Sequence, residues 1–311
     1  MTDFSYTVTP KIKTLISEID TLRSHVALSL ITPREEQRWR YEASNARVYY
    51  VLLLSGFNIH KRQIVDILQP NRKRGMSIVE KTAVKYKRVF NYLYQDWYAS
   101  RQHVGADEVI QIEKMFTHPK LRIGRETLEN MLTFMQIEAD HPVVQAGLGY
   151  ILPLTFRPFN EEQQYLHHVL PLLFLYKHGY YYQGMLDIGE YLFHDKQYVD
   201  NLLKESAMTR NYTMFLEYFA LLIRKQAEKI YVAIRDRQFE TDFPDSYFVL
   251  SERQKMILES FDEPGKRITN RKIQEVFRVS QITASRDLTK LAELGLLHTA
   301  GKGRSVYYTK V

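Results

Sequence analysis

The sequence predicts an all-α helical domain followed by a small winged helix-turn-helix domain of the α+β class. Three observations predict this architecture. Apolar residues recur at helical spacing through most of residues 1–236, the periodicity is lost over residues 237–249 around Pro244, and residues 250–311 show three short helical patterns before a glycine-rich hairpin. We therefore expect one domain at 1–236, a linker at 237–249 and a second domain at 250–311.

Composition limits the classes of function. The chain has 311 residues, of which 45% are hydrophobic, enough for about two domains. It has no cysteine, which excludes disulfides, thiolate metal sites and cysteine nucleophiles and fits a reducing compartment. The N-terminus lacks the layout of a signal peptide, and no run reaches the apolar length of a membrane span. We expect a cytoplasmic protein without a membrane partner.

The positive charge is concentrated near the C-terminus. From Ser251 onward there are 12 Lys and Arg against 7 Asp and Glu, whereas the preceding residues hold 31 against 29. A local basic excess is typical of a surface that meets a polyanion. Double-stranded DNA is therefore the expected partner of the C-terminal domain.

The helical pattern of the first domain can be followed along the chain. Thr32 and Pro33 suit the start of a helix, and Gly56 suits its end. The aromatic residues Tyr86, Phe90 and Trp97, with Tyr94 among them, recur at helical spacing and are predicted to be core. The expected helices lie near residues 11–30, 33–56, 78–100, 187–201 and 212–235, with two shorter ones between 106 and 140.

The centre of the chain pairs two apolar helical runs. The first covers residues 143–152 and the second 166–176, and the second is apolar around nearly its whole circumference. A helix that is apolar all round belongs inside a domain. The polar break between the runs, FRPFNEEQQY, is thus presented by the core, where a site would be built.

On these residues the chain resembles the Fic/Doc family, whose core helix leads into a loop reading HPFxxGNGRxxR and then into a second core helix. The segment FRPF from Phe156 falls on the start of that loop, and VLPLLFLYKHGY falls on the second helix. HPVVQAGLGY resembles the lead-in helix. The resemblance implies a Fic-like helical domain, and in active members the transfer of AMP or related phosphate-containing groups to protein hydroxyls.

The same resemblance implies that the catalytic loop is degenerate. The general-base histidine position holds Arg157, which cannot accept a proton. The glycines that let the backbone close around phosphate are replaced by Glu162 and Gln164, and the two loop arginines by Tyr165 and His168. The positions that define the degenerate loop are Arg157, Pro158, Phe159, Glu161, Gln163 and His168. We expect no catalytic residue, no cofactor and no metal here.

Two alternatives remain open. In the first, a divergent Fic-type enzyme uses Arg157, Glu161 and the nearby histidines to transfer a nucleotide or phosphate, with ATP and Mg²⁺ as cofactors. In the second, the Fic-like domain is an adaptor that binds a protein partner. His167 and His168 are neighbours on a helix and would point about 100° apart, too far for one metal. Paired histidines of this kind more often face solvent or make ordinary hydrogen bonds.

The second domain shows the boundaries of a winged helix-turn-helix. Ser251 with Gln254 forms a capping box, Thr269 or Asn270 caps the second helix and Ser280 caps the third. A small three-helix core is predicted from Ile273, Val276, Phe277, Ile282, Leu288 and Leu291. Winged helices also serve as protein-binding modules, and that alternative remains open.

The predicted DNA contacts follow from this geometry. The third helix would enter the major groove and the hairpin would meet phosphates or the minor groove. The candidate residues are Gln281, Thr283, Ser285, Arg286 and Thr289 on the helix, and Lys302 and Arg304 on the wing. Asp287 beside Arg286 could pair with it. A single winged helix reads a short half-site, so we expect a homodimer on DNA. The sequence thus predicts a DNA-binding regulatory protein.

Overall fold

The structure is a computed structural model that describes residues 4–68, 75–116, 125–136, 141–155, 165–236, 250–261, 266–294, 296–301 and 306–310. Within these ranges it is mostly helical. The helices are α1 (Pro10–Leu28), α2 (Pro33–Leu54), α3 (Lys61–Ile67), α4 (Ile78–Trp97), α5 (Ala106–Phe116), α6 (Arg125–Met135), α7 (Pro142–Thr155), α8 (Leu166–Lys177), α9 (Gly189–His194), α10 (Lys196–Thr209), α11 (Thr213–Asp236), α12 (Glu252–Glu259), α13 (Asn270–Phe277) and α14 (Gln281–Glu293). The strands are β1 (Ile268–Thr269), β2 (Leu297–Ala300) and β3 (Tyr307–Lys310).

Side-chain caps fix the starts of the long N-terminal helices. Thr9 accepts the backbone N–H of Ile12, and Pro10 occupies the first turn of α1. Thr32 and Glu35 form a reciprocal capping box at the start of α2, and Ser77 and Glu80 form one at the start of α4. These caps satisfy donors that a helix leaves unpaired at its N-terminus. The predicted extent of α2, ending just before Gly56, is confirmed.

Helices α7 and α8 form the centre of the molecule. Every residue of α7 from Val143 to Pro153 is buried, and so is every residue of α8 from His168 to Tyr176. Helix α11 lies against α7, α1 lies against α11, and α4 lies against α8. The prediction that these two apolar runs are core helices is confirmed.

Two glycines allow the central helices to approach their neighbours closely. A Cβ atom at Gly147 would lie 2.6 Å from Cδ2 of Leu216 on α11. A Cβ at Gly149 would lie 3.2 Å from Cβ of Leu170 and 3.3 Å from its backbone carbon on α8. Helix α7 therefore meets one neighbour through each glycine, and the packing leaves little room for a larger side chain.

Two expectations for the helical region were wrong. The segment predicted as one helix near 187–201 is divided into α9 and α10, which meet at Asp195. Tyr94 was assigned to the core with the other aromatic residues of α4, but it is only half-buried. Its ring stacks on Tyr181 at 4.5 Å between centroids and on His298 of the C-terminal residues at 5.6 Å. Helical spacing identified the face, but the partner on that face comes from a distant part of the chain.

The described residues from 250 onward, called here the C-terminal unit, have a separate hydrophobic core. Residues 4–236 are called the helical unit. Strand β3 pairs antiparallel with both β1 and β2, giving the order β1-β3-β2. The buried members of the second core are Ile257, Phe261, Ile268, Ile273, Ala284, Leu288, Leu291, Leu297 and Tyr308. The linker 237–249 lies outside the described residues, so the domain boundaries stay a prediction.

The predicted core of the C-terminal unit was wrong at two positions. Val276 is 53% exposed and Ile282 is 72% exposed. Ile273, Leu288 and Leu291 are buried as expected. Helices α13 and α14 are short and bury only one stripe each, so an apolar residue off that stripe reaches solvent.

No helix among the described residues is long and apolar enough to cross a membrane.

We expect Gly147→Ala to lower the free energy of unfolding by about 1 to 3 kcal/mol, because the added methyl group overlaps the buried side chain of Leu216. Chemical denaturation of the purified protein measures this loss. The companion variant Leu216→Ala removes the overlapped atoms and creates a cavity of its own.

The double variant tests whether the overlap is the cause. If it is, Gly147→Ala with Leu216→Ala loses less stability than the sum of the two single losses, by at least about 0.5 kcal/mol. Strict additivity would show that Gly147 matters for another reason.

Candidate functional site

The polar break between α7 and α8 is described only at its two ends. Residues 156–164 lie outside the described residues, and with them Arg157, Pro158, Phe159, Glu161 and Gln163. On one side, the Thr155 hydroxyl shares a hydrogen bond of 2.9 Å with the hydroxyl of Tyr212. On the other side, Tyr165 precedes the first turn of α8. Both ends are thus anchored to the helical unit.

The two positions that the family resemblance assigns to phosphate-binding arginines pack among aromatic rings. Tyr165 stacks on Phe116 with 4.2 Å between centroids. His168 is buried, and its ring contacts Tyr86 at 6.0 Å in an edge-on arrangement. Neither side chain carries a permanent positive charge. This end of α8 therefore offers aromatic surface where a polyphosphate would need cations.

The neighbouring histidines do not behave as expected. Their rings were predicted to point apart, but the centroids of His167 and His168 are 3.7 Å apart. Of the two expected environments, solvent or ordinary hydrogen bonds, His168 does not have the first, because it is buried; His167 is half-buried against Tyr150 at 5.2 Å. Burial, with the repulsion of His167, holds the pKa of His168 well below its usual value. His168 is therefore neutral near pH 7.

A small cavity lies beside His168. It has a volume of about 10 Å³, and its wall includes Arg47, Tyr150 and Asp187. That volume holds about one water molecule and cannot hold a nucleotide. The backbone N–H of Gly189 donates to Oδ1 of Asp187 at 2.9 Å. Burial raises the pKa of this carboxyl to about 6.

Within the described part of the chain, no group of three or more histidine or carboxylate side chains is arranged to hold a metal ion.

The C-terminal unit presents the second candidate surface, on the first half of α14. Helix α13 ends at Phe277, and the next residue, Arg278, turns the chain with a φ of 50°. Ser280 then caps α14 by accepting the N–H of Thr283 at 3.2 Å. Gln281, Ser285 and Arg286 are exposed. Residues four apart share a helix face, so these side chains form one polar surface with Ile282 among them.

Two predicted DNA contacts are engaged elsewhere. The Thr283 hydroxyl shares a hydrogen bond of 2.9 Å with the Ser280 hydroxyl, and Thr283 is half-buried. Thr289 is half-buried, with its hydroxyl close to that of Tyr308 on β3. Lys302 and Arg304 lie outside the described residues. The structure therefore brings together Gln281, Ser285 and Arg286.

Asp287 has a different partner from the one that sequence suggested. It is buried, and it accepts hydrogen bonds from Nε of Arg253 at 2.5 Å and Nε2 of Gln254 at 2.9 Å, both on α12. The suggested pairing with the adjacent Arg286 was wrong, because neighbours on a helix point in different directions. The buried carboxylate fixes α14 to α12 and leaves Arg286 exposed.

The helical unit contacts the opposite end of α14. Glu293, Leu294 and His298 share a cavity wall with residues of α2 and α4. Since α14 rises about 1.5 Å per residue, Gln281 lies roughly 18 Å from Glu293 along the helix. The two units therefore meet without covering the polar face at the start of α14.

Comparisons with known proteins identify the fold. No family model and no curated protein matches the sequence. Among solved structures, the chain is similar to the crystal structure of a Fic family protein from Desulfovibrio desulfuricans G20, with a TM-score of 0.60 and 12% sequence identity. The match covers 98% of this chain and 97% of that chain. The predicted Fic-like fold is thereby confirmed, and at this identity the likeness concerns fold alone.

We expect Asp187→Asn to flatten the dependence of stability on pH between about 4 and 6. The folded protein holds the pKa of Asp187 above its unfolded value, so it binds more protons than the unfolded chain in this window. Stability then falls as pH rises, by up to about 2 kcal/mol, and asparagine removes that fall.

Urea denaturation at a series of pH values measures the effect. Asp200→Asn, at a half-exposed acid of α10 paired with Lys196, serves as the control and should keep the wild-type slope. Parallel curves for wild type and Asp187→Asn would show that this carboxyl ionises as freely in the folded state as in the unfolded chain.

Proposed function

We propose that the chain is a DNA-binding regulatory protein in which a catalytically degenerate Fic-like domain carries a C-terminal winged helix-turn-helix. The observation that carries the proposal is the exposed face at the start of α14. There Gln281, Ser285 and Arg286 lie together on a helix that is capped at its N-terminus and fixed by a buried carboxylate.

The arrangement of the C-terminal unit supports the winged interpretation. Helices α13 and α14 follow one another across a short turn and pack together, and β2 and β3 form an antiparallel hairpin after α14. Lys302 and Arg304 lie between these strands in sequence, at the tip of the wing on this interpretation. In winged helices that bind DNA, the second helix of the motif enters the major groove and basic wing residues meet the backbone.

The chemistry of the exposed face suits base recognition. Arginine can donate two hydrogen bonds to guanine, and glutamine can make a bidentate pair with adenine. Ile282 is 72% exposed on the same face, where an apolar side chain suits the methyl group of thymine. We propose Arg286 and Gln281 for polar base contacts and Ile282 for an apolar one.

A second copy of the chain fits this function. One winged helix covers a short half-site, and specific operators usually present two half-sites related by symmetry. We therefore propose that the protein binds DNA as a homodimer.

The start of α8 supports the degenerate-site part of the proposal. At the positions where a working loop of this type has arginines, Tyr165 stacks on Phe116 and His168 is buried and neutral. A polyphosphate at these two positions would lose hydration without gaining the charge of either arginine. A divergent enzyme using Arg157 and Glu161 requires nucleotide affinity at this loop, whereas an adaptor requires neither nucleotide nor DNA binding.

We expect Arg286→Ala to weaken binding to the preferred duplex by about 5- to 150-fold, equivalent to roughly 1 to 3 kcal/mol. The duplex is first selected from a randomised library with the full-length protein. Fluorescence anisotropy at several salt concentrations then gives the affinity and its salt dependence.

Arg125→Ala is the matched control, since Arg125 is an exposed arginine of the helical unit and its loss changes the net charge equally. Its affinity should stay close to that of the wild type. If no duplex is enriched and random duplex shows no salt-dependent binding, the DNA-binding function is wrong and the adaptor alternative gains weight.

We expect calorimetric titration with ATP and Mg²⁺ to give no saturable heat, because Tyr165 and the buried His168 cannot supply the charges of the two phosphate-binding arginines. The Arg157→Ala variant is titrated in parallel. Saturable binding in the wild type that disappears in this variant would establish a rebuilt nucleotide site and favour the enzyme alternative.

A further inference from the structure

The two units enclose a cavity that is separate from the α7 to α8 loop. Its volume is about 40 Å³, and its wall combines residues of α2, α4 and α8 with the end of α14 and the start of β2. Tyr176, on this wall, lies about 15 Å along α8 from the helix start that faces the loop. The cavity is therefore at the opposite end of the central helix.

Cationic side chains dominate the wall of this cavity. Arg40, Arg47 and Lys87 line it from the helical unit, whereas Glu293 is the acidic group among its lining residues. Arg40 is paired with Glu36 on its own helix. Lys87 lies near Glu293, and Arg47 lies near the buried Asp187, so each of these cations has one acidic neighbour. An anion that enters this low-dielectric site would be attracted by both cations at once.

Some hydrogen-bond donor groups at the cavity have no acceptor among the described residues. Arg47 is 5% exposed and donates through Nη1 to the carbonyl oxygens of Gly184 and Leu186, at 2.9 and 2.6 Å. Its Nε and the Tyr176 hydroxyl are buried without a hydrogen-bond partner among the described residues. Buried donors without acceptors are destabilising, so an acceptor at this place would stabilise the protein.

Lys87 adds a third donor beside these two. Its Nζ donates to the Ser44 hydroxyl at 2.5 Å, which uses one of three ammonium protons. Burial and the nearby Arg47 lower the pKa of Lys87 to about 8, and burial raises the pKa of Glu293 to about 7. Bringing an anion next to Lys87 and Arg47 would relieve the repulsion between these two cations.

The backbone beside the cavity is also under constraint. Tyr182, Gln183 and Gly184 have φ values of 48°, 53° and 86° in succession. Arg40 and Arg47 donate to carbonyl oxygens of this turn, at Gln183 and Gly184. Strained backbone held by surrounding side chains is enriched at functional sites. The two arginines are positioned by this turn.

We propose that the junction cavity binds a small oxyanion, a phosphate or a short carboxylate, between Lys87, Arg47 and Tyr176. The volume corresponds to about three water molecules, which suits an anion of that size. Glu293 is the competing carboxylate, and Tyr94, stacked on His298, forms part of the wall across the contact between the two units.

Because the wall belongs to both units, anion binding is linked to their contact. An anion that attracts Lys87 and repels Glu293 changes the free energy of that contact and, with it, the placement of α14. The cavity would thus be the place where the protein senses its signal. This regulatory consequence rests on the proposed DNA-binding function, whereas anion binding itself does not.

The test is isothermal titration calorimetry of the full-length protein with inorganic phosphate and, separately, with acetate, near neutral pH and at constant ionic strength. We expect saturable binding of at least one of them, and the comparison of the two distinguishes a phosphate from a carboxylate ligand. Lys87→Met keeps the aliphatic stem and should weaken binding about tenfold or more, since it removes a charged donor.

Four further variants make the assignment specific. Lys81→Met, at an exposed lysine on the same helix, should bind as the wild type does. Tyr176→Phe should weaken binding about fivefold through loss of a neutral hydrogen bond, and it serves as the test if Lys87→Met proves misfolded by circular dichroism. Glu293→Gln should tighten binding, because the competing negative charge is gone. Arg157→Ala should leave it unchanged.

The absence of saturable heat with either anion would overturn the proposal, as would equal affinities for Lys87→Met and Lys81→Met. Loss of phosphate binding in Arg157→Ala with retention in Lys87→Met would assign the anion to the α7 to α8 loop and overturn it as well. Since no DNA is present in this titration, its result is independent of whether the chain binds a duplex. A change in duplex affinity on adding the anion, present in wild type and absent in Lys87→Met, tests the regulatory link.

Discussion

The burial of α7 against α8 is the constraint on which the rest of the structure depends. Both helices are apolar on nearly every side, so each must be enclosed by other helices to remove its surface from water. Gly147 and Gly149 set the distance at which α11 and α8 pack on α7. Helices α11 and α4 pack directly on this pair, and α1 packs on α11 in turn.

The same constraint accounts for the aromatic packing at the start of α8, which supports the proposed degenerate site. A phosphate site needs donors and cations on the rim of the core, where a charged ligand keeps part of its hydration. Here Tyr165 and His168 extend the aromatic packing of Phe116 and Tyr86 up to the first turn.

Charged and polar side chains are grouped where the two units meet and on the exposed half of α14. At the junction, Lys87, Arg47 and the Tyr176 hydroxyl surround a small cavity whose far wall belongs to the C-terminal unit. On α14, Asp287 is turned inward to Arg253 and Gln254, so Arg286 remains exposed. The junction cavity lies at one end of α14 and the polar face at the other. A rigid helix fixed by a buried carboxylate can connect the two, which is the physical basis for the proposed link between a bound anion and DNA affinity.

The sequence by itself determined the helical class, the central apolar pair and the caps, because these depend on periodicity and on contacts three or four residues apart. It also identified the resemblance in the α7 to α8 segment and the basic excess of the C-terminal residues. Only the tertiary structure decided that Ile282 faces solvent, that Asp287 pairs with α12 and that Tyr94 stacks on His298. The junction cavity had no signal in the sequence. Its donors, Arg47, Lys87 and Tyr176, are far apart in the chain, and only packing brings them together, because burial and charge compensation depend on contacts between distant residues.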